Sequence, residues 1–162
     1  MLPHSPAGGA GPPEPPFRGW RTWFDAWVES AYGADGFWRI HSPDVHFRTA
    51  ATSGPLLAEM LAALVDRHEI THVVDVGAGT GRLLDELSVI RPDLRLLGID
   101  LRTRPKGLAA QVDWAQDLWD VRYGCWTTGE AGAALGQTEP VMIICCEWLD
   151  DLPCSVVARH TD

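Results

Sequence analysis

The chain has 162 residues, 46% of them apolar, and a formal net charge of −9. That length suits one domain with a buried core, and the acidic balance excludes a protein that tracks nucleic-acid phosphates, which needs clustered positive charge. Lys106 is the only lysine, so a mechanism that needs an active-site lysine elsewhere is excluded as well.

Residues 1–16 are rich in Pro and Gly and lack a basic stretch leading into an apolar one. They read as a disordered tail rather than a secretory signal. From Phe17 onward, Trp20, Trp23, Phe24 and Trp27 recur at helical spacing, which predicts a helix with an aromatic packing face, broken by Gly33 and Gly36. The stretch "HSPDVHFRTAATSG" is loop by composition. Thr52 or Ser53 is placed to cap a second helix, with Pro55 in its first turn and Leu56, Met60, Leu61 and Leu64 on its apolar face. That helix should end around Arg67–Glu69. Residues 17–69 thus form an N-terminal helical segment.

Over 70–162 the pattern changes. "ITHVVDV", "LRLLGIDL", "AAQVDW" and "PVMIICC" read as strands, with the helix-periodic "RLLDELSVI" between the first two. Apolar strands alternating with helices predict an α/β fold whose parallel sheet is covered on both faces. No apolar run is long enough to span a membrane. Cys125, Cys145, Cys146 and Cys154 make no C-x-x-C pair, so neither a zinc ribbon nor a redox dithiol is indicated, and reduced thiols in the cytoplasm are expected.

Two motifs compete where these regions meet. His68-Glu69-Ile70-Thr71-His72 fits the H-E-x-x-H pattern of a zinc-binding helix, whereas the residues from Val73 to Gly81 fit a strand entering a glycine-rich loop. A helix through His72 leaves only Val73 and Val74 for that strand, and the only later histidine is His160. The zinc reading therefore fails, and no metal is expected. In the other reading Gly77, Gly79 and Gly81 follow a strand and open a helix, offering backbone donors to a ligand. Asp100 ends the next strand nineteen residues after Gly81, where a carboxylate accepts hydrogen bonds from ribose hydroxyls.

Asp75-Val76-Gly77-Ala78-Gly79-Thr80-Gly81 resembles motif I of the class I S-adenosylmethionine (SAM) methyltransferases. "CCEWLDDLP", residues 145–153, resembles the A-N-E-[FW]-[FL]-D-x-[LV]-P signature of the MidA family among them. Glu147, Trp148, Asp150 and Pro153 match, and Cys146 stands where the family has Asn. "HFRTAATSGPLLAEML" resembles that family's G-D-F-x-T-S-P-x-I-S segment through Phe47 and Thr49, with His46 and Ala50 in place of Asp and Ser.

The resemblance implies a Rossmann-like α/β sheet in the order 3-2-1-4, preceded by helices. It implies SAM as cofactor, with Asp75, Gly77, Ala78, Gly79 and Gly81 at its methionine end and Asp100 at its ribose. A full sheet of this class has seven strands and four are found, so the C-terminal strands are expected to be missing and the fourth strand to present an apolar edge open to self-association. Mitochondrial relatives methylate an arginine of a respiratory complex I subunit, which implies a protein arginine as acceptor.

Glu147 and Asp150, three apart beyond a strand's carboxyl end, face the crevice where α/β sheets bind ligands and are the candidate catalytic acids, Glu147 for the guanidinium and Asp150 to assist or order the loop. Asp117, with Gln116 nearby, is the candidate partner of the adenine amine, Asp113 being the alternative. Trp114 and Trp119 either cover the adenine or pack in the core. Two other readings remain open: an NAD-dependent oxidoreductase, from the glycines and Asp100, and a non-catalytic assembly module, from Cys146 and the short sheet.

Overall fold

The computed structural model describes residues 21–41, 43–46, 49–136 and 140–157. The expected tail over 1–16, together with Trp20, Phe47 and His160, lies outside them.

Three short helices come first, α1 (Trp23–Tyr32), α2 (Phe37–Ile40) and α3 (Pro43–His46), followed by a 3-10 turn at Ala50–Thr52 and the longer α4 (Leu56–Arg67). The remainder runs β1 (His72–Val76), α5 (Arg82–Ile90), β2 (Arg95–Asp100), β3 (Val112–Gln116), β4 (Trp119–Asp120), β5 (Cys125–Trp126), α6 (Glu130–Leu135), β6 (Val141–Ile144) and a 3-10 turn at Leu149–Asp151. Four strands form one parallel sheet in the order β3-β2-β1-β6. This is the expected Rossmann-like half, with β6 in fourth place.

Strand alternation divides the core between the two faces of the sheet. Val73 and Leu96 meet α4 and α5 through Leu61, Val65, Leu84 and Leu87 on one side. Val74, Val76, Leu97 and Ile99 meet Ala131 of α6, Trp126 and Trp148 on the other. α4 therefore shares the core of the sheet. The competing motifs resolve as expected: α4 ends at Arg67, His68 caps it, Glu69 takes a left-handed φ of 53°, and His72 opens β1. The two histidines of the zinc pattern sit in different elements.

Four local expectations need correction. The aromatic stripe of α1 is not a buried packing face: Trp23 is 63% exposed and meets Trp27 edge-on, while Phe24 lies under the Arg122 guanidinium. On α4 the buried face is Ala58, Leu61, Ala62 and Val65, whereas Leu56 is 67% and Met60 57% exposed. Two apolar stripes overlap at Leu61, and the one carrying alanines packs in the same buried cluster as Leu83, Leu84 and Leu87 of α5. The capping position of α4 belongs to Pro55 and not to Thr52 or Ser53, no side chain caps the helix there, and the Ser53 hydroxyl donates to the Thr49 carbonyl at 2.6 Å. β3 starts at Val112 because the chain before it is tied elsewhere, the Ala109 N–H to Asp85 and the Leu108 and Ala109 carbonyls to Arg104.

The β4–β5 hairpin, α6 and the single turn α3 were not anticipated; each is too short to set a hydrophobic period. Among the described residues no helix is long and apolar enough to cross a membrane.

Candidate functional site

At the carboxyl ends of β1, β2 and β6 lies a cavity of about 310 Å³. Asp75, Gly77, Ala78, Gly79, Asp100, Asp117, Glu147 and Asp150 all line it, although they come from four separate stretches of sequence. Gly81 and Gln116 do not. Gly81 sits behind the wall at a φ of +74°, capping α5, where a Cβ would meet the Leu108 side chain at 2.6 Å. Gln116 is turned outward, its amide donating to the Leu101 carbonyl at 3.2 Å, which corrects its placement beside an adenine.

The loop following β1 comes close to everything near it. Gly77 and Gly79 have φ of +74° and +61°, which favour glycine. A Cβ on Gly77 would lie 2.5 Å from the Trp148 indole, so the residue also makes room for the turn after β6. The Gly77 and Ala78 amides donate to the Ile99 carbonyl, tying the loop to β2.

Asp75 is only 3% exposed, and among the described residues no group donates a hydrogen bond to its carboxylate. Burial, with the nearby charge of Asp100, pushes its carboxyl up to about 7. Asp100 has the opposite surroundings. It accepts from the Gly79 amide at 2.8 Å, from the Arg102 amide at 2.9 Å and from the Arg102 Nε at 3.0 Å. An Arg on the wall of the site was not anticipated, although its position two residues past Asp100 was visible.

Asp117 borders the cavity, but its carboxylate is committed to its own chain. One oxygen accepts from the amides of Leu118 and Thr128 and from the Thr127 hydroxyl, and the other from the Ala131 amide at 3.1 Å. Burial acts to raise its carboxyl, yet the Thr128, Ala131 and Leu118 amides outweigh it and hold the group down at about 2. These four donors fill the roughly four acceptor sites of a carboxylate.

Glu147 follows β6 with a φ of 58°, a left-handed conformation that costs about 1–3 kcal/mol for a residue with a side chain. The chain turns there, and the 3-10 turn after Trp148 brings Asp150 onto the same cavity. Asp151 joins them; burial first, then the charges of Asp150 and Glu147, raises its carboxyl to about 6. The Tyr32 hydroxyl donates to the Asp151 carbonyl at 3.1 Å, so α1 is fastened to this acidic turn. Burial also pushes the Cys146 thiol upward, which favours the neutral form at the position where the resembling family has an amide.

Aromatic residues close the remaining side. Trp126 stacks on Trp148 at 6.2 Å and meets Trp119 edge-on at 5.3 Å. Trp119 thus lines the cavity, whereas Trp114 is a packing residue: it lies over Gly98, and its indole N–H donates to the Arg102 carbonyl. Trp126, Trp38 and Tyr32 were missed as lining residues, because the hairpin and the fold-over of α1 carry no sequence signature. Among the described residues no group of three His, Cys, Asp or Glu is placed to hold a metal.

No protein-family model matches the chain, and no curated protein does. A solved structure that matches is that of a COG1565 superfamily member and candidate methyl transferase from Burkholderia thailandensis, bound to S-adenosyl-homocysteine. It is 24% identical over 61% of this chain and 33% of that one, with a TM-score of 0.48, so the chain spans about a third of that protein's length.

Proposed function

We propose that the chain binds S-adenosylmethionine in the cavity at the end of β1 and β2 and takes part in methyl transfer to a protein arginine. The observation that carries this reading is Asp75, a buried carboxylate without a donor among the described residues, at the foot of a loop shaped by left-handed glycines. An ionised carboxylate so placed is unfavourable until a cation arrives. The ammonium of a methionine tail is such a cation, and the glycine loop gives it room.

Asp100 suits the ribose diol, taking its hydroxyls in exchange for the Arg102 guanidinium while keeping the Gly79 amide. Trp119 and Trp126 offer an aromatic wall for a purine, with the Asp117 carboxylate beside it. The cofactor, when bound, supplies a methyl group made electrophilic by its sulfonium.

The chain's own residues then have three tasks. Asp75 and Asp100 fix the two ends of the cofactor, which sets the direction of approach. Glu147, Asp150 and Asp151 make the far wall strongly acidic, complementary to a guanidinium, which stays protonated at every ordinary pH. Glu147 pairs with that guanidinium and draws its positive charge away from the attacking nitrogen, and Asp150 orders the turn. The resemblance of residues 145–153 to the MidA signature supports arginine as the acceptor. On the same reading the free side of β6 is available for self-association.

Isothermal titration with S-adenosylhomocysteine and with NAD tests the cofactor. Saturable heat from the former, abolished by Asp75→Ala, is expected; heat from NAD alone would overturn the reading. For the acceptor, transfer of labelled methyl from SAM to arginine-containing polypeptides should fall by about 10²–10³-fold in Glu147→Gln. Label that appears on lysine or on no polypeptide would remove arginine from the proposal.

A further inference from the structure

A second cavity, about 540 Å³, adjoins the first and shares Gly79, Thr80, Leu101 and Arg102 with it as a common wall. Its electrostatics are reversed. The first is bordered by six carboxylates, whereas the second has no acid in its lining and carries Arg39, Arg102, Arg104 and Lys106. Four of the chain's 13 cationic residues, its only lysine among them, meet here on a molecule of net charge −9.

Elsewhere three arginines are neutralised locally: Arg82 by Glu86, Arg91 by Asp66 and Asp93, Arg122 by Asp25. At this cavity only Arg102 is, through Asp100. Arg39, Arg104 and Lys106 have no carboxylate partner among the described residues. Two of them are nevertheless held in place by neutral acceptors. The Arg104 guanidinium donates to the carbonyls of Leu108, Ala109 and Val112, and the Arg39 Nε donates to the Tyr32 carbonyl at 3.0 Å. Carbonyls orient a guanidinium without cancelling its charge, so these cations are positioned and still electrostatically unsatisfied.

We propose that this second cavity binds a phosphate-class anion, a phosphate monoester or a diphosphate, next to the cofactor site. Three uncompensated positive charges suit a dianion better than a single carboxylate. Arg39 presents the planar fork of its two Nη groups, Arg104 adds a fixed charge with two of its five donors beyond the three carbonyls, and Lys106 adds a point charge on a mobile stem. Arg102 joins them whenever another group takes its place on Asp100. The proposal does not depend on what occupies the first cavity.

The test is calorimetric titration of the full chain with sodium pyrophosphate, inorganic phosphate and phenyl phosphate, with ionic strength held constant by chloride. Saturable one-site binding is expected for at least one probe, weakened at least about tenfold by Lys106→Ala and by Arg39→Ala and unchanged by Arg67→Ala, which removes an exposed cation of α4 that is not part of the lining. Preference for phenyl phosphate assigns a monoester, and preference for pyrophosphate a diphosphate. Phosphorus-31 line broadening with the unmodified protein reads the same event without any variant. No saturable binding, or an equal loss in Arg67→Ala, would overturn the proposal.

Discussion

Asp75 couples the stability of the fold to pH and, on the proposed reading, to ligand binding. Its carboxyl lies at about 7 in the fold, raised from 3.8 by burial and by Asp100, so the folded chain holds a proton that the unfolded chain has released. The stability contributed by the neutral form is complete below about pH 4 and lost as pH rises through about 7, with a slope of at most about 1.4 kcal/mol per pH unit for one proton. Asp75→Asn cannot ionise. Denaturant unfolding between pH 4 and 7 should therefore show the unmodified chain losing stability relative to the variant, and parallel curves would contradict it. A cationic ligand selects the ionised form, so S-adenosylhomocysteine should bind more tightly as pH rises toward 7, with proton release in titrations that vary the buffer. The glycine loop and the acid before it were legible in the sequence, because a tight turn at a strand's end is specified by adjacent residues. That the acid would lack a donor was not, since this depends on every element around it.

At the level of elements, α4 shows how an apolar pattern underdetermines a face. Leu56, Met60 and Leu64 recur at helical spacing, yet the buried stripe runs through Ala58, Leu61, Ala62 and Val65. Leu61→Ala should cost about 2–4 kcal/mol in urea unfolding, whereas Leu56→Ala should stay within about 0.5 kcal/mol. Equal costs would restore the face read from spacing alone. Asp117 has the converse lesson: a residue chosen for its position after β3 turns out to clasp the β4–β5 hairpin and the start of α6. Asp117→Ala leaves the Leu118, Thr128 and Ala131 amides without their acceptor and should destabilise the fold by on the order of 3 kcal/mol. Its carboxyl is held at about 2, so this contribution is present above about pH 4 and lost as pH falls through about 2. Acid titration of the unmodified chain followed by tryptophan fluorescence checks it, because Trp119 and Trp126 lie in the clasped hairpin.

For the molecule as a whole, the placement of β6 matters most. It pairs with β1 on one side, and among the described residues no strand pairs with its other side. Ile143 is 52% exposed. An open apolar edge recruits further strands, and a charge on it discourages them. Light scattering across a concentration series should show association of the unmodified chain that Ile143→Lys reduces; a monomer at all concentrations would dispose of the edge as a contact. The same strand carries the acidic turn, so the cavity takes one wall from each side of β1. An acidic cavity next to a basic one, on a chain of net charge −9, is a property of this assembly and not of any segment within it.

What the sequence by itself determined is whatever nearest neighbours decide: the α5 boundaries, the failure of the zinc pattern at Arg67–His72, the glycine turn, and the parallel sheet that buried apolar strands require. Only the tertiary structure decided which stripe of α4 is buried, that Gln116 faces away while Trp126 and Tyr32 face in, and that Arg102 closes on Asp100. Backbone periods and turn preferences act over a few residues, whereas burial and charge depend on groups that the chain brings together from far apart.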